Sequence, residues 1–90
     1  MTNIDLIKKF CIDPTLAAKA NNLSCREGTL YSYAEPIARY RGLPIERGTA
    51  EPVFIVSRRK WSVTTSRHQN TVIGVLATRG IKFDITGERL

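Results

Sequence analysis

The run Val53-Phe54-Ile55-Val56 constrains the fold most strongly, since it is the most apolar and β-branched stretch of the chain. Residues of this kind favour a pleated, buried surface, so the run predicts a strand at the centre of a sheet. Ninety residues allow one hydrophobic core around that strand. We therefore predict a single domain over residues 1–90.

Two helices are predicted before the first strand. Asn3 can cap the first of them, with Asp5 in its first turn, where the helix dipole favours an acid. The apolar stripe of this helix comprises Ile4, Leu6, Ile7, Phe10 and Cys11. Asp13-Pro14 then predicts a second, short helix that ends at about Ala20, because Asp caps a helix and Pro fits its first position.

A third helix is predicted in the C-terminal half. One of the hydroxyl residues Thr64, Thr65 and Ser66 is expected to cap it. Its buried face is expected to contain Val72, Ile73 and Leu76, with Gln69 at the edge of that face. Arg79-Gly80 is expected to end it, since glycine suits a left-handed cap.

Alternating and β-branched patterns predict further strands at residues 30–33, 37–41, 61–63 and 81–86. Turns are expected at residues 42–44 and 46–48, where Gly and Pro occur. The resulting order of elements is α-α-β-β-β-β-α-β. This order predicts an α+β fold with a small, mostly antiparallel sheet of about four to five strands and two or three helices packed on one face.

The positive charge is concentrated in the C-terminal part of the chain. Residues 1–36 carry four basic and four acidic side chains, whereas residues 37–90 carry ten basic and four acidic ones. No acid occurs between Glu51 and Asp84. Such a block raises the local potential toward anions, which favours a nucleic-acid contact, although a solvated basic surface would have the same composition.

The stretch from Trp61 to Asn70 places hydroxyls, an arginine and the single histidine around a predicted helix start. A helix N-terminus presents unpaired N–H groups, to which phosphate or carboxylate binds. We therefore predict an anion-binding or nucleic-acid-binding site there. It comprises Arg58, Arg59, Lys60, Trp61, Thr65, Ser66, Arg67 and His68. The structural alternative is that one hydroxyl caps the helix and the others lie in the adjoining strand or on the surface.

Catalysis is not predicted. His68 could donate to a phosphate or act as an acid–base group, or it could simply form hydrogen bonds in the first turns of its helix. One histidine excludes a two-histidine phosphodiesterase, and His68 with the two cysteines has no recognised zinc spacing. The carboxylates are scattered, and Gly-rich phosphate loops are absent. We expect no catalytic residues, no metal and no cofactor.

The aromatic residues also favour nucleic acid. Tyr31, Tyr33, Tyr40 and Trp61 lie on predicted strands or at their ends, near Arg39 and Arg41. Exposed aromatic rings on a sheet stack bases while neighbouring basic residues contact phosphates. Alternation places Tyr31 and Tyr33 on one face, and that face can equally be the core.

The sequence predicts a cytoplasmic protein that does not enter a membrane. The first residues contain an acid where a secretory signal would carry basic residues, and no apolar run approaches the ~20 residues that span a bilayer. The thiols are therefore expected to be reduced. Cys11 lies on the apolar face of the first helix and is expected in the core, whereas Cys25 is expected at the surface.

Two segments resemble a small domain found in proteins of bacteriophages and related mobile elements. They are Tyr31-Ser32-Tyr33-x-x-Pro36-Ile37-Ala38 and Trp61-Ser62-Val63-Thr64-Thr65-Ser66-x-His68-Gln69-Asn70. The domain has Thr, Tyr and Lys where this chain has Glu35, Trp61 and Arg67. The resemblance spans roughly residues 29–80 and implies a phage setting without supplying a mechanism.

Three functional hypotheses follow from these observations. The first is a non-enzymatic phage-type protein whose basic face contacts nucleic acid or a nucleoprotein complex. The second is an inhibitor of a host enzyme or defence complex, as anti-CRISPR proteins are, anchored by its basic face or by Leu43 and Ile45. The third is a small hydrolase or transferase centred on Ser66 and His68. The pattern does not define an oligomeric state.

Overall fold

A computed structural model describes residues 1–41, 54–59, 62–88 and 90 of the chain. These residues form two helices and six strands. In chain order, the elements are α1 Asn3–Ile12, β1 Ala18–Lys19, β2 Leu23–Arg26, β3 Thr29–Ser32, β4 Glu35–Tyr40, β5 Phe54–Ser57, α2 Val63–Thr78 and β6 Phe83–Thr86. The expectations for Leu43, Ile45, Val53, Lys60, Trp61 and the turns at 42–44 and 46–48 lie outside the described residues.

The six strands form one mixed sheet in the order β1-β2-β3-β4-β5-β6. The first four pairings along this order are antiparallel, while β5 and β6 are parallel. A parallel pair needs a crossover connection, and α2 supplies it. The predicted α+β class and the mostly antiparallel sheet are confirmed, whereas the predicted strand count was too low. The β5 strand lies between β4 and β6, inside the sheet, as expected of the apolar run.

One face of the sheet forms the core. In the strand register, Cys25, Leu30, Ala38 and Val56 lie side by side on β2 to β5, and all four are buried. The helices contribute Leu6, Ile7, Phe10, Cys11, Val72 and Leu76 to the same cluster. Both helices therefore cover this face of the sheet.

A register shift in the β3–β4 pairing explains two consecutive buried residues. Leu30 pairs with Ala38 and Tyr31 pairs with Pro36, so that Ile37 is the extra residue on β4. Alternation would place Ile37 opposite to Ala38, yet both are fully buried. An irregularity of this kind bends the strand and redirects a side chain.

Aromatic rings join α1 to the middle of the sheet. The ring of Phe10 meets that of Phe54 edge-on, with the centroids 5.6 Å apart. The ring of Tyr40 also packs against that of Phe54, with the centroids 5.4 Å apart. Of the predicted stripe on α1, Ile4 is wrong because it is 53% exposed, whereas the other members are buried.

Helix α1 begins one residue earlier than predicted. Thr2 is its N-cap: the Thr2 hydroxyl accepts from the Asp5 N–H, and the Asp5 carboxylate accepts from the Thr2 N–H. This is a capping box, which satisfies two of the donors that a helix start leaves unpaired. Asn3, the predicted cap, is instead the first helical residue and is free to make contacts elsewhere.

The predicted second helix is wrong. Asp13 is the C-cap of α1, and its carboxylate accepts from the N–H and the hydroxyl of Thr15, which forms a turn. Ala18–Lys19 then pairs with β2 as an edge strand. A helix of about seven residues is marginal by itself, so the pairing with the sheet overrides the helical propensity of the alanines.

Strand β2 was not anticipated, although its residues alternate between buried and more exposed positions. It is joined to β3 by a two-residue turn in which Glu27 has φ 50° and Gly28 has φ 78°. Positive φ at both central residues is the geometry that matches the twist of a hairpin. The sheet therefore extends two strands beyond the predicted ones.

Helix α2 begins before its predicted cap. Ser62 is the N-cap, and its hydroxyl accepts from the Thr65 N–H at 3.1 Å. Val63 is helical, so the predicted strand at residues 61–63 is wrong over its described part. At the other end, the Gly80 N–H bonds the Ala77 carbonyl and the Ile81 N–H bonds the Leu76 carbonyl. With φ 69° at Gly80, this is a Schellman ending and confirms the predicted glycine cap.

Both cysteines are free and buried. The prediction of a surface thiol at Cys25 is wrong because β2 turns this side chain into the core. Burial raises the pKa of the Cys11 thiol to about 12, and burial also raises the pKa of Cys25.

No helix within the described ranges combines the length and apolarity needed to cross a membrane.

Truncating Phe10 to Ala is predicted to destabilise the fold by about 3–5 kcal/mol, because it removes the ring that contacts Phe54 and leaves a cavity. Urea unfolding followed by circular dichroism measures the loss. Ile12→Ala, at a 64% exposed position of the same helix, is the control and should stay within about 0.5 kcal/mol. Equal losses for the two variants would contradict the packing described above.

The two thiols are predicted to react slowly with Ellman's reagent in native buffer and at once in urea, because burial hides them and disfavours the thiolate. A Lys9→Cys variant provides an exposed thiol for comparison. The prediction is contradicted if Cys25 in the native wild type reacts as fast as the introduced cysteine.

Candidate functional site

Three exposed arginines lie around the junction between β5 and α2. Arg58 directly follows β5, where its N–H donates to the Thr86 carbonyl at 2.7 Å. Its guanidinium donates to Asn70 Oδ1 of α2 at 3.2 Å. Arg67 lies three residues before Asn70, on the same side of the helix. This contact therefore places the side chain of Arg58 next to the helix face that carries Arg67.

Two hydrogen bonds hold the main chain of the neighbouring residue Arg59. Its N–H donates to Ser57 Oγ at 3.2 Å, and its carbonyl accepts from Gln69 Nε2 at 3.1 Å. Ser57 Oγ donates in turn to the carbonyl of Glu88 at 2.7 Å. The segment after β5 is thus attached to α2 and to the C-terminal turn. We call the exposed residues Arg58, Arg59 and Arg67 the basic strip.

A buried polar cluster lies behind the start of α2. Ser32 Oγ on β3 is 2.8 Å from His68 Nδ1 and 3.2 Å from Thr65 Oγ1. The N-cap hydroxyl of Ser62 donates to Thr65 Oγ1 at 3.2 Å. Ser32, Thr65 and His68 are 0%, 2% and 7% exposed. These contacts attach the first turns of α2 to the end of β3.

The other nitrogen of His68 faces α1. His68 Nε2 is 3.4 Å from Asn3 Nδ2, and Asn3 Oδ1 accepts from the N–H of Asn22 at 3.3 Å. The Asn22 contact assigns the amide nitrogen of Asn3 to the side that faces His68. Nε2 is then the acceptor, so Nδ1 carries the proton and donates to Ser32. With this tautomer, His68 cannot take the hydroxyl proton of Ser32.

The eight residues that the sequence grouped together fall into separate places. Arg58, Arg59 and Arg67 are exposed in the basic strip, whereas Thr65 and His68 are buried in the polar cluster. Ser66 is half-buried, and two residues of helix turn it about 200° from His68. Lys60 and Trp61 lie outside the described residues. The structure therefore does not bring Ser66 and His68 together.

Sequence reasoning did not include Ser32 or Asn3 in the site. The signal for Ser32 was available, since it belongs to the Tyr31-Ser32-Tyr33 segment of the resemblance. The two segments of that resemblance meet at Ser32 and His68, which are 36 residues apart in the chain. Asn3 had no such signal, because its predicted role was a helix cap.

No three metal-ligating side chains of the His, Cys, Asp or Glu type lie together in the described part of the chain. The pKa of His68 is lowered by burial. A neutral imidazole suits the polar cluster, because burying a charged one without a counter-charge is costly.

Comparison with known proteins identifies the family. The sequence matches a family of unknown function, DUF8033, over residues 10–88. The chain belongs to this family. The DUF8033 match contains Ser32, Thr65, His68 and the basic strip, while Asn3 precedes it. Searches of curated proteins and of solved structures found no match.

His68 is predicted to titrate below 6.5 in the folded protein, because its pKa is lowered by burial. Near pH 6.5, the imidazole of His68 therefore binds a proton in the unfolded chain but not in the folded one. The free energy of unfolding therefore keeps the full contribution of His68 above this pH. It falls as the pH decreases through this value, by at most about 1.4 kcal/mol per pH unit.

The chain has one histidine, so NMR of untagged protein follows a single imidazole signal. Urea unfolding at pH 7.5 and pH 5.5 measures the linked stability. His68→Gln removes the titrating group and should flatten the wild-type dependence between these values. An imidazole that titrates at or above 6.5 contradicts the prediction.

Proposed function

We propose that this DUF8033 protein is a non-enzymatic nucleic-acid-binding domain of phage or mobile-element origin, and that the basic strip contacts phosphates. The observation that carries the proposal is the hydrogen bond from Arg58 to Asn70, because it brings the Arg58 guanidinium to the helix face on which Arg67 lies. Guanidinium groups that share a face suit phosphate oxygens.

The distribution of charge supports the same proposal. The chain has a net charge of +6, and the first turn of α2 contains no acidic residue. Positive potential at this helix start is thus not offset by a carboxylate of that turn. A polyanion gains from such a surface through the release of counterions.

The polar cluster supports a binding role rather than a hydrolytic one. Both nitrogens of His68 have partners, and Nδ1 donates to Ser32 instead of accepting from it. A general base needs a free acceptor nitrogen within reach of the nucleophile. The cluster is better suited to holding α2 against the sheet, which keeps the basic strip in place.

The proposal predicts that Arg58→Glu and Arg67→Glu each weaken binding to a labelled duplex by about tenfold, because each replaces a phosphate contact with a repulsion. Fluorescence anisotropy at low salt measures the affinity. Lys9→Glu, on the exposed side of α1, causes the same change in net charge and should have a much smaller effect.

Salt provides a second readout for the wild type. Three phosphate contacts give a slope near −2.7 in a plot of log affinity against log salt, which is about 40-fold between 50 and 200 mM. Equal effects of Arg58→Glu and Lys9→Glu, or affinity that is independent of salt, would refute the basic strip as the contact.

Affinity purification with and without nuclease tests the competing role. We expect nucleic acid in the untreated half, and associated proteins that are lost on treatment. A stoichiometric host protein that survives nuclease, with no nucleic acid in either half, would instead identify an inhibitor of a host enzyme or defence complex.

A further inference from the structure

The sheet has a second face, opposite the core, that neither described helix covers. Side chains alternate along each strand, so the neighbours of the buried Cys25, Leu30, Ala38 and Val56 project to this side. The exception is Ile37, which the register shift places in the core cluster. We call this side the open face. Its described residues include the exposed Lys19, Arg26, Arg39 and Asp84, the half-buried Tyr31, and the buried Thr29 and Ser57.

Two arginines are fixed on the open face by the register. Thr29 on β3 pairs with Arg26 on one side and with Arg39 on the other. Neighbouring strands are about 4.8 Å apart, so the two Cα atoms are roughly 10 Å apart. Both arginines are exposed. They therefore lie on the two strands that flank β3, where strand pairing fixes their backbone positions, rather than on a loop.

The acid on this face is already neutralised. Asp84 forms an ion pair with Arg41, with 3.5 Å between Arg41 Nη1 and Asp84 Oδ2. Lys19 lies on the same face as Tyr31, because both pair with Ser24 in neighbouring ladders. Among the described residues, the open face therefore carries more basic than acidic side chains.

Tyr31 provides an aromatic surface between these charges. It is half-buried, and the Arg26 guanidinium carbon lies 5.2 Å from the centroid of its ring. The ring is therefore already used for stacking on a flat cationic group. A nucleobase can take the place of the guanidinium, since stacking of a base on an aromatic ring exceeds an exposed cation–π contact.

We propose that the open face binds single-stranded nucleic acid. A base stacks on Tyr31, and the displaced Arg26 contacts a phosphate together with Arg39. Single strands fit this surface because their bases are available for stacking, whereas the bases of a duplex are not. The proposal rests on the nucleic-acid binding proposed above and adds the strand type and the surface that contacts the bases.

Fluorescence anisotropy with labelled dT and rU oligomers of about 12 nucleotides tests the proposal, with a duplex of the same length alongside. Tyr31→Leu is expected to weaken binding to the single strands about tenfold, because it removes the stacking ring. Tyr31→Phe keeps the ring and should stay within about twofold. A preference between dT and rU identifies the type of strand.

Charge reversal on the same face provides an independent variant. Arg39→Glu should weaken binding of the single strands about tenfold and reduce the salt slope by about 0.7, as for one phosphate of a single strand. Lys9→Glu, on the helical side, is the matched control. Each variant is checked first by thermal unfolding, so that loss of the fold is not mistaken for loss of binding.

NMR of the wild type keeps the test decisive if Tyr31→Leu does not fold. Addition of the oligomer should shift the amides of Arg26, Tyr31 and Arg39. Shifts confined to Arg58, Arg59 and Arg67, or unchanged affinity in folded Tyr31→Leu, overturn this proposal and leave the basic strip standing. Absence of binding to every oligonucleotide overturns both proposals.

Discussion

The hydrogen bond between Ser32 Oγ and His68 Nδ1 connects the two halves of the structure. It is 2.8 Å long and almost fully removed from water, where an unpaired donor or acceptor would be costly. Asn3 approaches the opposite nitrogen of the imidazole, so one side chain connects α1, β3 and α2. Burial lowers the pKa of His68 and so favours the neutral ring.

The position of α2 determines how β5 and β6 are connected and where the residues of the basic strip lie. The helix is the crossover between β5 and β6, and its apolar residues Val72 and Leu76 complete the core. The residues after β5 follow this arrangement, since Asn70 and Gln69 bind Arg58 and Arg59. The same helix thus covers the polar cluster with Thr65 and His68 and carries the exposed Arg67, while Asn70 binds Arg58.

The two faces of the sheet carry different kinds of side chain. The helices and the rings of Phe10 and Phe54 lie on one side of the sheet. Burial of their apolar surface stabilises the packing there. On the other side, strand register fixes the positions of Arg26, Arg39 and Tyr31. Charges held at set positions by strand pairing suit a flexible polyanion better than charges on a loop, because less conformational entropy is lost on binding.

Local sequence determined the elements whose pattern is self-sufficient: α1, most of α2 with its Gly80 ending, and the strands β3 to β6. Arg58 and Arg67 were also expected at a basic surface from their charges alone. Only the tertiary structure decided that Ala18–Lys19 is a strand, that Ser62 caps α2, and that Thr65 and His68 face Ser32. The reason is physical: periodicity is a property of neighbouring residues, whereas strand pairing and buried hydrogen bonds depend on partners far away in the chain. The sequence carried the residues of the Ser32–His68 contact in two separate segments, and folding brought them together.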